Sequence, residues 1–225
     1  MDALLKANFP RHWVTKEFNG QYAINATQVK QWIQEEENAV AFSSHTALLL
    51  TPDLPDVQLF PIIFIRHPID RIASAYAFER TQGSSTFGSV LARHTTLAGY
   101  IEVNLALGHH SQCRNFHISK LTHLFIGEPG TPATLAIKAL DSLPFVGLVD
   151  NYDKSIDRLT EWLLPHFPNF KPVIVTRNVT RSNTIPLDQK LEQIRAEIGP
   201  GCYDELLTAN EADLAVFHAI QKRYA

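Results

Sequence analysis

Residues 59–83, LFPIIFIRHPIDRIASAYAFERTQG, run from an apolar stretch through Arg66 into a helical segment that carries Ser74. Leu59, Phe60, Ile62, Ile63, Phe64 and Ile65 form a near-continuous apolar run, the pattern of a strand buried on both faces of a parallel sheet. Pro68 suits the first turn of a helix, where its missing N–H costs nothing, and Asp70 complements the positive helix end. Arg66 is thereby predicted at the carboxyl end of a central strand, where open α/β sheets bind ligands. Ser74 falls about two turns into the following helix. A guanidinium fork and a hydroxyl so placed can grip one phosphate together.

Outward from this segment, strand and helix patterns alternate. Residues 27–37 read as a polar helix with Val29, Trp32 and Ile33 at helical spacing, and residues 38–45 as a short apolar strand that ends at His45. Residues 86–107 read as two helices, with Phe87, Val90, Leu91, Leu97, Tyr100, Ile101 and Leu105 in phase. Residues 131–142 read as a further helix, and FVGLVD (145–150) as a second buried strand leading into an amphipathic helix over 151–166. Helices over 186–198 and 210–224 close the chain. This order predicts an α/β domain of three layers, a mainly parallel sheet flanked by helices. No repeat, low-complexity tract or linker divides it, so residues 1–225 are expected to form a single domain.

The net charge of -3, from 20 basic and 23 acidic residues, gives no general attraction to nucleic acid or anionic lipid, so an anion site must be local. Cys113 and Cys202 form no CxxC pair, and reduced thiols are expected. No apolar run approaches the ~20 residues that span a bilayer, and the first residues lack a signal-peptide core, so a cytoplasmic protein is expected. His109, His110, Cys113, His117 and His123 crowd one segment, and a helix would put His110, Cys113 and His117 on one face. They lack an acidic partner or a tight ligand pair, and no metal is expected.

Arg66, Pro68, Arg71, Ser74 and Tyr76, in the pattern R-x-P-x-x-R-x-x-S-x-Y, resemble the 3′-phosphate motif of sulfotransferases that use 3′-phosphoadenosine 5′-phosphosulfate (PAPS). The match is closest to the carbohydrate, family 2 type branch. The resemblance implies a P-loop NTPase-like sulfotransferase fold in which Arg66 and Ser74 hold the 3′-phosphate, and Arg71 and Tyr76 support the helix. It also implies sulfuryl transfer from PAPS to a hydroxyl of a carbohydrate, leaving the product PAP. FSSHTALLL resembles the region that supplies the general base, which would be His45. Histidine suits that task because its ordinary pKa lies near neutral pH. Some relatives carry a second histidine two residues earlier, where this chain has Ser43.

SQCRNFHISKL resembles the family's acceptor-side helix, so Gln112, Arg114 and Lys120 are expected to face a hydroxyl-rich or anionic substrate. Basic residues near 114 and 177 hint at an acidic sugar. RNVTRSN resembles the loop that closes over the nucleotide, which would give Arg177, Arg181 and Asn183 contacts to phosphate or adenine. FVGLVDNYDKSIDRL resembles a strand and helix of the type VGLxExYDxSLxxL, read as packing.

The family's N-terminal strand and PKxGxTS loop, which hold the 5′-phosphosulfate, have no counterpart in this sequence: Lys6 and Lys16 lack the glycine and serine or threonine context of an anion nest. MDALLKANFP reads as the helix that would follow that loop. The first strand and phosphate loop of the fold are therefore expected to be missing, an N-terminal truncation that predicts little or no transferase activity. The alternative from another class is a non-catalytic nucleotide- or glycan-binding remnant of the same fold. A P-loop kinase is the poorer reading, because GxxxxGK[ST] is absent as well.

Overall fold

The computed structural model describes residues 1–18, 22–48, 54–108, 110–125, 127–172 and 185–224, with backbone alone at 22–24, 123 and 124. In chain order the elements are α1 (Asp2–Asn8), β1 (Trp13–Thr15), α2 (Tyr22–Glu35), β2 (Ala41–Ser43), β3 (Ile63–Ile65) and α3 (Pro68–Thr81). They continue as α4 (Phe87–His94), α5 (Leu97–Ala106), α6 (Phe116–Leu121), α7 (Pro132–Asp141), β4 (Val146–Leu148), α8 (Tyr152–Leu163), α9 (Leu187–Ile198), α10 (Pro200–Ala209) and α11 (Glu211–Gln221). Short 3-10 turns follow α6 and β4. None of these helices is long and apolar enough to cross a membrane.

The apolar run 59–65 divides two cores. Side chains alternate along a strand, and here Phe60, Ile62 and Phe64 join Leu4 of α1 and Ile156, Leu159 and Leu163 of α8 on one side. Ile63 and Ile65 turn to the other side, among Leu121 of α6, Ala136 and Leu140 of α7, and Val216, Phe217 and Ile220 of α11. β4 runs parallel to β3, with Phe64 opposite Gly147. A Cβ at Gly147 would lie 2.6 Å from the Phe64 ring, so the aromatic side chain occupies the space that only glycine leaves. Helices thus cover both faces of the β3–β4 pair, which makes the local arrangement three-layered. A third core, built from Ile69, Ile72, Ala73 and Tyr76 of α3 with Leu97, Tyr100 and Ile101 of α5, extends to Ile194 of α9 and Leu206 of α10.

One sheet joining all strands is not what the described residues form. β1 pairs with β2 in parallel, β3 pairs with β4 in parallel, and these are two separate two-stranded sheets. The physical reason is that the first pair has its own small core: Val14 and Phe42 pack with Phe18, Val29 and Trp32, closing that unit against α2. The strands are also shorter than the apolar runs suggested, β3 beginning only at Ile63, after Pro61, which has no N–H to give to a ladder. α2 starts well before residue 27, and α10 was not anticipated. Gly199 with φ 80° turns the chain between α9 and α10, and Pro200 opens α10 at the position where proline is best tolerated. Phe87 and Val90 are exposed, because α4 turns Leu91 and Ala92 to the core instead, while the Phe87 ring leans on His110.

Candidate functional site

The carboxyl ends of the paired strands β3 and β4 converge on the start of α3. Pro68 occupies the first turn of that helix, and His67 precedes it as the N-cap. The His67 N–H donates to Asp150 Oδ2, 3.1 Å away, so the residues just past the two strands are tied together. Burial pushes the Asp150 carboxyl upward; the His67 N–H opposes this, Asp70 adds to it, and the Arg66 and Lys190 charges lower it. Lys190 of α9 thus stands within electrostatic reach of the strand ends, a residue whose place on a polar helix gave no sign of it in the sequence.

Arg66 leaves β3 half-buried and donates from Nε to Asp70 Oδ2 at 2.6 Å. Asp70 is 2% exposed and pairs with the arginine four residues before it, so the pairing orients the guanidinium from below. Among the described residues both terminal nitrogens of Arg66 lack a carboxylate partner. Ser74 lies one turn beyond Asp70 on the same face of α3, half-buried, and its hydroxyl takes no partner among the described residues. The strand-to-helix turn therefore presents an oriented cation and a free hydroxyl along one helix face.

Arg71 is committed elsewhere. Its Nη2 donates to the Gln112 carbonyl, its Nη1 lies 3.4 Å from Gln112 Oε1, and its guanidinium stacks over the Phe116 ring at 4.0 Å. Gln112 Nε2 donates to Glu79 Oε1 at 2.9 Å, and Tyr100 Oη donates to Glu79 Oε2 at 2.7 Å. Gln112, expected to face substrate, is thus built into a chain of bonds linking α3, α5 and the segment before α6. Arg114 donates to the Leu105 carbonyl at 3.2 Å. Neither residue lies on a helix: α6 begins only at Phe116, after Asn115 in the left-handed region with φ 41°. The same break removes the single helical face on which His110, Cys113 and His117 were to align. Among the described residues no group of three His, Cys, Asp or Glu is placed to hold a metal. Burial pushes the Cys113 thiol up to about 12, ahead of any lowering by Arg71, and both cysteines are free.

His45 lies two residues past β2 and is exposed. Its backbone N–H donates to both oxygens of Glu17, each at 3.1 Å, and the Thr46 hydroxyl donates to Glu17 Oε2 at 2.8 Å. Because β2 and β3 belong to different sheets, the expected sharing of one crevice by His45 and Arg66 does not follow from strand order. Glu17 was not anticipated; the sequence shows only an isolated acid after Lys16. Arg177, Arg181 and Asn183 lie outside the described residues.

His67 is 5% exposed, its ring packs edge-on against Phe217, and its Nδ1 has no partner among the described residues. Burial lowers its pKa to about 4; Asp70 opposes this, and His218 and His117 add to it. The folded chain therefore keeps His67 neutral while the unfolded chain takes up a proton below about 6.5. Stability from this residue is complete above that pH and is lost as pH falls toward 4. At ~1.4 kcal/mol per unit, urea unfolding should show a loss of about 2 kcal/mol between pH 6.5 and 5. A His67→Leu chain should lose correspondingly less over the same interval; an equal loss would assign it to other groups.

No family model matches the chain, and no solved structure matches it. An uncharacterized protein of Archaeoglobus fulgidus is 39% identical over 231 residues, an alignment that takes in 100% of this chain and 91% of the archaeal one. Identity at that level, along the whole of the chain, places both the strand-to-helix turn and the Glu17–His45 region within the shared sequence. The chain belongs to the same family as this Archaeoglobus protein.

Proposed function

We propose that the chain is a PAPS-dependent sulfotransferase of carbohydrate type with a P-loop NTPase-like sulfotransferase fold, working in the cytoplasm on a carbohydrate hydroxyl, and that with no counterpart of the PKxGxTS loop in its sequence it transfers the sulfuryl group slowly at best. The observation that carries the reading is the turn from β3 into α3. Arg66 is oriented through Nε by buried Asp70, and among the described residues its terminal nitrogens have no carboxylate partner and the hydroxyl of Ser74, one turn beyond Asp70, is unpartnered. A 3′-phosphate placed there would accept from both, close to the positive end of a 14-residue helix. His45 is the base that takes the acceptor proton. The resemblance assigns Arg177 and Arg181 to the nucleotide.

A second reading has its own support: the placement of His45 and Arg66 on separate sheets favours a nucleotide- or glycan-binding protein that does not transfer. Calorimetric titration with PAP tests the shared part. The wild-type chain should bind PAP, and Arg66→Ala should weaken binding about 10- to 100-fold, the worth of one or two charge-assisted hydrogen bonds. Equal affinity in the two chains would remove the sulfotransferase reading and the nucleotide-binding form of the second, leaving only a glycan-binding protein. Incubation with PAPS and a panel of glycosides then separates them, since only the transferase yields a sulfated sugar.

A further inference from the structure

We propose that Lys190 is the second cation of the site at Arg66 and Ser74, and that it fits the site to a doubly charged phosphomonoester, a terminal 3′-phosphate, rather than to a singly charged phosphodiester. The inference rests on the sulfotransferase reading and deepens it by adding a specificity-determining residue. Lys190 lies on α9, far along the chain from the strand-to-helix turn, and packing brings the two together. Leu187 joins the core that holds Ile65 and Leu148, the last residues of β3 and β4. Leu191 and Ile194 join the core built on Ile69 and Ile72 of α3. The first turn of α9 therefore spans the join between the strand pair and α3. Lys190 stands beside that apolar stripe, three residues after Leu187 and four before Ile194.

Two features of Lys190 have no local explanation. It closes the first turn of α9, its N–H donating to the Pro186 carbonyl at 3.1 Å, and a cation there opposes the positive end of the helix. Asp188, in the same turn, has the favoured sign. Lys190 is also half-buried, yet no carboxylate among the described residues lies within ion-pair distance of its Nζ. A cation partly withdrawn from water attracts an arriving anion more strongly than one in bulk solvent. Arg66 offers its terminal nitrogens in the same way, since Asp70 engages its Nε.

Charge balance makes Lys190 decisive. Asp150, just past β4, is held by the His67 N–H at 3.1 Å, and its carboxyl feels Arg66 and Lys190 together, so one acid lies within reach of both cations. Without Lys190, Arg66 would stand alone against Asp70 and Asp150, and with both acids ionised the excess negative charge would repel a phosphate. With Lys190 the charges balance, and the direct bonds from the Arg66 fork and the Ser74 hydroxyl can decide binding. A lysine ammonium is a compact point charge with rotatable donors. Its attraction scales with the charge of the ligand and is about twice as strong for a dianionic phosphomonoester as for a monoanionic diester.

Calorimetric titrations of the full chain at about pH 7.5, where a phosphomonoester is a dianion, compare PAP with adenosine 3′,5′-cyclic phosphate, a monoanionic diester. Lys190→Met and Lys190→Gln should each weaken PAP about tenfold or more, and Lys190→Arg should restore most of the affinity. The cyclic phosphate should bind the wild-type chain more weakly than PAP and lose less in the variants. Urea unfolding at the wild-type midpoint shows that the variants fold. Lys222 caps the end of α11, where the nearby Tyr224 hydroxyl donates to the Val146 carbonyl at the opposite, amino end of β4. Lys222→Met removes the same charge and should leave PAP affinity unchanged. PAP binding that needs Arg66 but not Lys190, an equal loss from Lys222→Met, or equal weakening of PAP and the cyclic phosphate would overturn the role of Lys190. A chain with no affinity for PAP would overturn the sulfotransferase reading, and inorganic phosphate followed by phosphorus NMR then decides the rest. Phosphate binding lost in both Arg66→Ala and Lys190→Met would leave the two cations as an anion site, and no phosphate binding would overturn that as well.

Discussion

Replacing Asp213 by alanine is expected to destabilise the protein by about 3–5 kcal/mol, since it leaves several buried donors without their acceptor. Asp213 is fully buried at the start of α11 and serves three donors from α6. Its Oδ2 accepts from the His117 N–H at 2.9 Å and from the His117 ring Nδ1 at 3.0 Å, and its Oδ1 accepts from the Ile118 N–H at 2.9 Å. The clasp is reciprocal. Asp213 N–H donates to Asn115 Oδ1, Asn115 N–H donates to Asn210 Oδ1, and Asn210 Nδ2 donates to the Cys113 and Leu206 carbonyls. Alanine would strand two backbone donors and one ring donor out of reach of water, each at about 1–3 kcal/mol if nothing relaxes. Set against a whole-domain stability of about 5–15 kcal/mol, this loss approaches unfolding at ambient temperature. Asp213→Asn keeps one accepting oxygen and should cost less. Urea unfolding followed by far-UV circular dichroism compares the three chains, and an alanine variant within about 1 kcal/mol of wild type would show that the clasp is not a main fastening of α6 to α11.

Nothing in the sequence marks that clasp, because its members stand about a hundred positions apart and each has an ordinary local role available to it. What the sequence does disclose is local. The run from Leu59 to Ile65 declares a strand, and its alternation into two cores is the period of two that any strand imposes. Pro68 and Asp70 mark the start of α3, and the start is where they put it. Asp70 was legible only as a complement to the helix dipole, although its spacing from Arg66 also fits the ion pair the structure forms. The split into two sheets was not legible, since a short apolar strand such as Ala41–Ser43 has the same pattern whether it joins a large sheet or closes a small core on Trp32. The commitment of Gln112 was hidden for a similar reason: its partners Arg71 and Glu79 come from another helix, and only packing brings them together. Arg66 and Ser74 could be read early because one continuous strand-to-helix segment carries both.

The largest functional effect is expected at His45. In the proposed reaction the acceptor oxygen attacks sulfur, a new O–S bond forms as the bond from sulfur to the bridging phosphate oxygen breaks, and PAP leaves. The proton of the attacking hydroxyl goes to the base, and a positioned base contributes about 10²- to 10⁴-fold. His45→Ala should lower by that factor whatever slow turnover the chain supports without a phosphosulfate loop, while leaving PAP affinity unchanged, because the phosphate contacts belong to Arg66 and Ser74. The substitution is clean on structural grounds. The side chain is exposed, and the bonds to Glu17 run from the backbone N–H, which alanine retains. Stability should therefore stay within about 0.5 kcal/mol of wild type. Glu17 fixes where the turn stands, so a lost rate with intact folding and intact nucleotide binding would point to the imidazole itself and not to a collapsed turn. A variant that sulfates a glycoside at the wild-type rate would exclude His45 as the base.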